Sequence, residues 1–338
     1  MTSETQSRIA AARLRWPRPH RGLLLLAVPA LAGALAPLLA AYPLRIFDLV
    51  LIYAILGMGL NIVIGYAGLL DLGFVAFYAI GAYTYALLAS GQFGIHLPFL
   101  AVLPIGGALA GFAGVLLGIP VLRLRGDYLA MVTLGFGEIV RILLNNLDIL
   151  TNGPQGVTRI DPPVLFGFAL TSPLHFVYLL LAMATLVFAA AWRLETSALG
   201  LAWAAVREDQ DAARGCGIDA TRAKLFAFGT SATIGGLAGV VFAAMQLFVS
   251  PESFTFWESL VVVLVIVVGG LGNLFGVILG ATLMMVVPEL LRAYEDYRLL
   301  LYGLALVIVI LLRPEGLLPR RYGPGWLFAR LPTRLGAR

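Results

Sequence analysis

The stretch "FWESLVVVLVIVVGGLGNLFGVILGATLMMVVP" (256–288) carries a single charged residue, Glu258. A transmembrane helix needs about 20 consecutive apolar residues, so this stretch is too long for one simple crossing. Its centre, "GGLGN" (269–273), is a cluster of residues that break regular structure. The stretch therefore predicts two membrane-spanning helices that are joined by a turn at 269–273.

The rest of the chain has the same apolar character. Of its 338 residues, 60% are hydrophobic and 12% are charged, and the mean hydropathy is +0.94. Several further runs of about 18 or more residues carry few or no charges, which is typical of membrane spans. The fold class is therefore predicted to be all-α, a polytopic transmembrane helical bundle of about ten spans. The predicted spans are 23–41, 46–65, 74–89, 97–121, 128–147, 174–192, 225–249, the two halves of 256–288, and 299–312.

The distribution of basic residues predicts the orientation. With ten spans and a cytosolic N-terminus, 18 of the 23 Lys and Arg residues fall in cytosolic segments, as the positive-inside rule requires. With nine spans, the arginine-rich tail would lie outside. We therefore predict that both termini are cytosolic. The expected organisation is an Arg-rich arm (1–22), a transmembrane permease domain (23–312) and a tail (313–338), with 23–41 a retained span and not a cleaved signal peptide.

The sequence lacks the motifs of the common hydrolytic enzymes. Lys224 is the only lysine and follows Ala223, so the phosphate-binding pattern GxxxxGK[ST] is excluded. The sequence contains no HExxH, no CxxC and no GxSxG. Cys216 is the single cysteine, which excludes an intramolecular disulfide. We predict a transport protein that is not an enzyme, has no metal and no cofactor, and contacts membrane lipid but no nucleic acid.

Ionisable residues within the predicted spans are few. Glu138 and Arg141 share one span at a spacing of i, i+3, which places them on one helix face. Ionisable residues inside a membrane are candidates for a proton or substrate site, whereas a neighbouring pair of opposite charge can also be structural. Both interpretations stay open from the sequence. Thr133, on the same span, is a further candidate for the transport pathway.

Two glycine-containing segments are candidates for local functions. Gly272, Gly276 and Gly280 recur every four residues, which predicts a smooth helix face for close packing or for the wall of a moving pathway. The segment "TNGPQG" (151–156) is rich in turn-forming residues and is predicted to lie outside the membrane. It is either a periplasmic gate or binding-protein contact or a simple reverse turn. Its candidate residues are Thr151, Asn152, Gly153 and Gln155.

The longest predicted cytosolic loop, 193–224, concentrates charge in "AAVREDQDAARGCGID" (204–219). Thr196 or Ser197 can cap a helix that begins just after it, and Asp219 can cap the span that follows. The loop therefore predicts one or two short helices at the membrane face. From composition alone, it is equally well an ordinary solvated loop.

The order of residues in this loop resembles a known motif. "DAARGCG" (211–217) is similar to the EAA signature of ABC-importer permeases, with Asp211 in place of the usual Glu and without the later apolar and proline portion. The region from about 46 to 319 resembles the branched-chain amino acid permeases of the LivM type. The blocks that carry this resemblance are "GYAGLLDLGFVAFYAIGAY" (65–83), "RGDYLAMVTLGFGEIVRI" (125–142), "LTNGPQGVTRI" (150–160), "VVGGLGNLFGVILGA" (267–281) and "LRPEGLLP" (312–319).

The resemblance implies the ABC-importer permease fold and a permease subunit in the bacterial inner membrane. It implies four kinds of partner: a homologous permease (LivH type), two cytosolic ATPases (LivG and LivF types) and a periplasmic substrate-binding protein. The family's loop helix docks in a groove of the ATPase. Carried onto this chain, the docking residues are Ala204, Arg207, Glu208, Asp209, Asp211, Ala212, Ala213, Arg214 and Gly217.

Branched-chain or related hydrophobic amino acids are the expected cargo. Urea, short-chain amides and other small amino acids or carboxylates are alternatives within the same family. A stand-alone secondary transporter is the alternative from a different class. In such a protein the 204–217 loop would tolerate mutation, because no ATPase binds it. An intramembrane enzyme is disfavoured by the missing catalytic pairs.

Overall fold

The computed structural model of the protein describes residues 40–91, 94–121, 124, 126–165, 167–292, 297–313 and 315–318, together with 29, 32–33 and 36–38. The N-terminal arm 1–22, most of the predicted first span and residues 319–338 lie outside the described residues. In chain order the helices are α1 (Ala41–Asn61), α2 (Val75–Leu88), α3 (Phe99–Val121), α4 (Asp127–Asn146), α5 (Asp148–Thr151), α6 (Pro173–Glu195), α7 (Ala198–Glu208), α8 (Gln210–Gly215), α9 (Ala220–Gln246), α10 (Phe256–Gly269), α11 (Leu274–Leu290) and α12 (Arg298–Leu312).

Long apolar helices dominate the structure. Among the described residues, five helical stretches are long and apolar enough to cross a membrane. Two shorter apolar helices, α2 and α11, accompany them. A helix also occupies each predicted span from 46–65 onward. The protein is therefore a multi-pass helical membrane protein. The five long stretches are Tyr42–Tyr66, Phe99–Val121, Pro173–Glu195, Ala220–Gln246 and Pro251–Gly269.

The predicted break inside 256–288 is confirmed. Helix α10 ends at Gly269 and α11 begins at Leu274. Between them Gly270 (φ 124°) and Gly272 (φ 79°) have backbone conformations that residues with a side chain rarely adopt. The Asn273 side chain then caps α11, since its Oδ1 accepts the Phe275 N–H at 3.1 Å.

Helix α9 packs against α1, α2 and α3 at the centre of the bundle. Small residues permit the close approach of α3 and α9. A Cβ placed on Gly236 would lie 2.7 Å from the carbonyl oxygen of Gly106, and one on Gly114 would lie 2.9 Å from that of Phe228. In the absence of a hydrophobic driving force within lipid, such tight packing is a main source of helix association.

Two short antiparallel ribbons depart from the all-α prediction. Ala89–Ser90 (β1) pairs with Ile95–His96 (β2), and Val164–Leu165 (β3) pairs with Phe168–Ala169 (β4). An isolated bridge between Ser90 and Ile160 joins the two regions. These ribbons mark one end of the bundle, here called the ribbon end. Helix α6 runs from β4 to α7, so α7 and α8 lie at the opposite end, here called the loop end.

Candidate functional site

The loop between α6 and α9 is two capped helices. Ser197 caps α7, since its Oγ accepts the Gly200 N–H at 3.4 Å. Asp209 caps α8 by accepting two backbone N–H groups at 2.8 and 3.0 Å. Asp219 caps α9 in the same way, at 3.0 and 3.1 Å. These caps satisfy N–H groups that a helix start leaves without partners. The predicted loop helices and the predicted caps at Ser197 and Asp219 are confirmed.

Two buried side chains fix this loop to the first turn of α9. The Trp203 indole is 1% exposed, and its Nε1 donates to the Ala223 carbonyl oxygen at 2.7 Å. The Lys224 ammonium donates to Gln210 Oε1 at 2.8 Å, and Lys224 is also buried. Each helix of the loop thus has its own contact with α9. The loop is therefore attached to the central helix of the bundle.

The structure sorts the predicted docking residues into an outer and an inner group. Ala204 is half-buried and Ala213 is buried, and the Ala213 carbonyl accepts the Ile218 N–H at 3.0 Å. Ala213 therefore packs inside the loop, and Ala212 is the alanine that α8 presents to the surface. Arg214 and Asp211 form an exposed ion pair at 3.4 Å. The exposed members are Arg207, Glu208, Asp209, Asp211, Ala212, Arg214 and Gly217.

The link between α1 and α2, residues 67–74, is mostly buried, with Gly68 and Leu70 exposed. Asp71 is 0% exposed and accepts the Gly73 N–H at 2.9 Å. Leu72 donates its N–H to Thr133 Oγ1 at 3.0 Å, and Val75 donates to Ser259 Oγ at 3.1 Å. The sequence signal for this link is a carboxylate between glycines within an apolar run, "GLLDLG" (68–73).

Thr133, on α4, contacts this link and is itself 0% exposed. Its hydroxyl accepts the Leu72 N–H and donates to the Ala130 carbonyl oxygen at 3.1 Å. Both capacities of the hydroxyl are thus used by backbone groups. The structure therefore places Thr133 in a helix-to-link contact, away from any open surface.

Glu138 and Arg141 form an ion pair on α4. Arg141 Nη2 and Nε donate to Glu138 Oε1 at 2.5 and 2.9 Å, and Nη1 lies 3.5 Å from Glu252 Oε1. The Glu138 side chain is 38% exposed and the Arg141 side chain is 25% exposed. The pair therefore neutralises itself while it still faces a partly open surface near the ribbon end.

The turn-rich segment 151–156 is held by its own polar groups. Thr151 Oγ1 donates to the Leu144 carbonyl oxygen at 2.6 Å, and Asn152 Nδ2 donates to the Gly156 carbonyl oxygen at 3.0 Å. Gly153 (φ 56°) packs closely on the Asp148 side chain. Asn152 and Gln155 are exposed. The segment is a hydrogen-bonded turn at the ribbon end, beside the Val157–Val249 bridge.

The three glycines at four-residue spacing have two different roles. Gly276 and Gly280 lie on α11 against the α10 backbone, and a Cβ on Gly280 would run into the Val265 carbonyl oxygen. Gly272 lies in the turn before α11 begins, and its N–H is donated to Asn61 Oδ1 at 2.9 Å. Gly276 and Gly280 are thus packing positions, whereas Gly272 is a turn position.

The long apolar helices, joined by a loop of two capped helices, define a multi-pass helical membrane protein. Residues 42–310 match the family described as "Branched-chain amino acid transport system / permease component". The chain belongs to this family.

Three relatives are similar over most of the chain. The LivM permease protein of the high-affinity branched-chain amino acid transport system of Escherichia coli K12 is 47% identical over 320 residues, covering 88% of this chain and 75% of the relative. The Salmonella typhimurium LT2 protein of the same description is 46% identical over the same coverage. A probable LivM of Methanocaldococcus jannaschii is 25% identical, covering 80% and 91%. No solved structure matches the chain.

Proposed function

We propose that this chain is a permease subunit of an ABC importer and forms half of the translocation pathway for branched-chain amino acids. The relatives at 46–47% identity are described as permeases of high-affinity branched-chain amino acid transport, which supports this cargo. Separate ATPases drive the chain through the loop 204–217. Its further partners are a homologous permease and a periplasmic substrate-binding protein.

The observation that carries the proposal is the construction of the loop. The exposed charged residues Glu208, Asp211 and Arg214 face outward from α7 and α8, while Trp203 and Lys224 attach the same helices to α9. Charged groups at the rim of an interface give specificity and charge-assisted hydrogen bonds. A surface of this kind suits a partner that must both recognise the loop and push on the bundle. An unattached solvated loop would not pass on such a push.

The proposed location is the bacterial inner membrane, with ten spans, both termini in the cytosol and the arm, membrane domain and tail divided at 22/23 and 312/313. Pairing at the loop end supports this arrangement. Leu317 and Leu318 donate their N–H groups to the carbonyl oxygens of Val268 and Gly269, each at 2.9 Å, beside the α10–α11 turn. The start of the tail thus lies at the end that carries α7 and α8.

Cysteine labelling tests this topology. The native Cys216 is exposed in the loop, so a membrane-impermeant maleimide should label it only after the cells are permeabilised. A Gln155→Cys variant in a Cys216→Ser background should label in intact spheroplasts. An Arg330→Cys variant in the same background should behave like Cys216. Labelling of Arg330→Cys from the outside would contradict ten spans with a cytosolic tail.

Loop docking is tested by a bulky substitution on the outer surface. Ala212→Trp should prevent co-purification of the ATPase subunits and leave the permease folded, because residue 212 is exposed. Ala189→Trp, at an exposed alanine of α6 outside the loop, is the matched control and should retain them. Equal recovery of the ATPases with both variants would contradict docking through this loop.

A further inference from the structure

The end of α1 is bound by an arginine from the loop. Helix α1 continues as a π-helical turn, Ile62–Tyr66, before the chain leaves the helix. Carbonyl groups at a helix end lack intrahelical partners, and cationic side chains stabilise them. Arg207 of α7 donates from Nη1 to the Gly65 carbonyl oxygen. Its stem crosses Gly68, where an added Cβ would lie 2.5 Å from Arg207 Cγ. Arg207 thus contacts Gly65 and Gly68, on both sides of the position at which the 67–74 link begins.

The α10–α11 turn meets the same point. A Cβ on Gly65 would lie 2.7 Å from the Gly272 nitrogen, and the Gly272 N–H is donated to Asn61 Oδ1 at 2.9 Å. Gly68 has φ 70°, a conformation that favours glycine, so the chain turns sharply beside the Arg207 stem. The loop, the end of α1 and the α10–α11 turn therefore share one tightly packed junction.

The far end of the link is bound to α4. Leu72 donates to Thr133 Oγ1 at 3.0 Å, and Gly73 leaves no space for a Cβ against the Thr133 carbonyl oxygen. A Cβ on Gly73 would also lie 3.3 Å from the Gly137 nitrogen. Buried backbone N–H groups outside regular helices need hydrogen-bond partners, and Thr133 and Asp71 supply them here. A displacement of the link therefore displaces α4.

We propose that Arg207 is a positioning residue that transmits movement of the α7–α8 loop through the 67–74 link to α4. The proposal rests on the proposed function, because it needs an ATPase to move the loop. Movement of Arg207 displaces Gly65 through their hydrogen bond and Gly68 through packing contact. The link then transmits this displacement to Thr133. Helix α4 also bears the Glu138–Arg141 pair and its contact with Glu252, so the movement reaches the ribbon end. Arg207 therefore acts on the inner side of the loop, towards the bundle.

The test uses the complete importer in proteoliposomes, with this chain, its partner permease, both ATPases and the binding protein. ATP hydrolysis and leucine uptake are measured in the same vesicles. In Arg207→Ala, uptake per ATP hydrolysed should fall about tenfold below wild type, within the usual range of coupling between sites. Arg207→Lys should lie between the two, since lysine keeps one donor.

Arg222→Ala is the matched control. Arg222 is an exposed loop-end arginine whose ion pair with Asp219 is local, at 3.1 Å. Its uptake per ATP should equal that of wild type. A wild-type ratio of leucine uptake to ATP hydrolysis in Arg207→Ala would overturn the proposal. Absence of ATP-dependent uptake from the wild-type complex would instead contradict the proposed function.

A reversible cross-link tests the same connection independently, since it joins positions 68 and 207 without the arginine. A Cβ on Gly68 would lie 3.2 Å from Arg207 Cβ, close to the roughly 3.5–4.5 Å that a disulfide spans between Cβ atoms. The variant Gly68→Cys with Arg207→Cys, in a Cys216→Ser background, should couple poorly when reduced. Oxidation should restore most of the uptake per ATP. An unchanged ratio after the disulfide has formed would overturn the proposal.

Discussion

Trp203 and Ala223 lie 20 residues apart in the chain, and the indole Nε1 of the first donates to the carbonyl oxygen of the second at 2.7 Å. This bond connects α7 to the first turn of α9. Because α9 packs on α1, α2 and α3, a force on α7 acts directly on the centre of the bundle. Movement of the loop is therefore expected to move the membrane domain with it.

Removing this hydrogen bond should loosen the loop. Trp203→Phe keeps an aromatic ring but loses the donor, and a hydrogen bond contributes about 0.5–1.5 kcal/mol. Amide hydrogens of α7 should then exchange up to about tenfold faster, because local opening follows the local free energy. Hydrogen exchange read by mass spectrometry measures this. Trp257→Phe, at an exposed tryptophan, is the control. Equal protection of α7 in both variants would refute the connection.

The Thr133 hydroxyl should contribute more to stability than an ordinary threonine in a span. Thr133→Val leaves the partly buried Leu72 N–H without its acceptor, which costs up to about 1–3 kcal/mol. Thr185→Val is the control, because the Thr185 hydroxyl bonds only within its own helix, to the Leu181 carbonyl oxygen at 2.7 Å. Thermal unfolding in detergent should give a lower Tm for Thr133→Val than for Thr185→Val. The reverse order would contradict the role of Thr133 in holding the link.

Assembly of the permease should depend on both charges of the Glu138–Arg141 pair. Glu138→Gln leaves Arg141 with Glu252, whereas Arg141→Gln removes the partner that Glu138 has among the described residues. Stranding a charge within a span costs up to about 2.5–3.5 kcal/mol, and less at this half-exposed site. Arg141→Gln should therefore reduce the amount of assembled permease more than Glu138→Gln does.

The double variant separates a structural pair from a transport site. If the pair is structural, Glu138→Gln with Arg141→Gln should restore much of the assembled permease and its uptake, because no charge is left unpaired. If Glu138 contacts the cargo, the double variant assembles but does not transport. Uptake per assembled complex in vesicles distinguishes the two. Wild-type behaviour of all three variants would remove both roles.

Close packing of α10 and α11 should fail with a single added methyl group. A Cβ on Gly280 would run into the Val265 carbonyl oxygen, so Gly280→Ala must separate the two helices. Overpacking of this kind costs about 1–3 kcal/mol. At Gly135 of α4 nothing lies within 4 Å of an added Cβ, so Gly135→Ala should be neutral or stabilising, because alanine favours helix. A Tm for Gly280→Ala that matches Gly135→Ala would contradict the packing.

The apolar runs, the glycine-rich break and the capping residues predicted the helices and the turn at 269–273 because these signals are local. The inward role of Arg207 and the burial of Asp71 were missed. Each depends on which distant element the chain meets, and a run of charges has the same composition in either case. The inward orientation of Ala213, which was grouped with Ala212 as a docking residue, was not predicted for a related reason, since neighbouring alanines on a helix point in different directions. The sequence located the loop but not which of its faces meets the bundle.

The most direct test of the central claim is leucine uptake by proteoliposomes that contain this chain and its partner permease, with ATP inside and binding protein outside. Uptake should require both the ATPase subunits and ATP, and Ala212→Trp should abolish it while Ala189→Trp retains it. Excess unlabelled isoleucine should compete for uptake and urea should not. Equal uptake without the ATPase subunits would contradict the account and identify a stand-alone carrier.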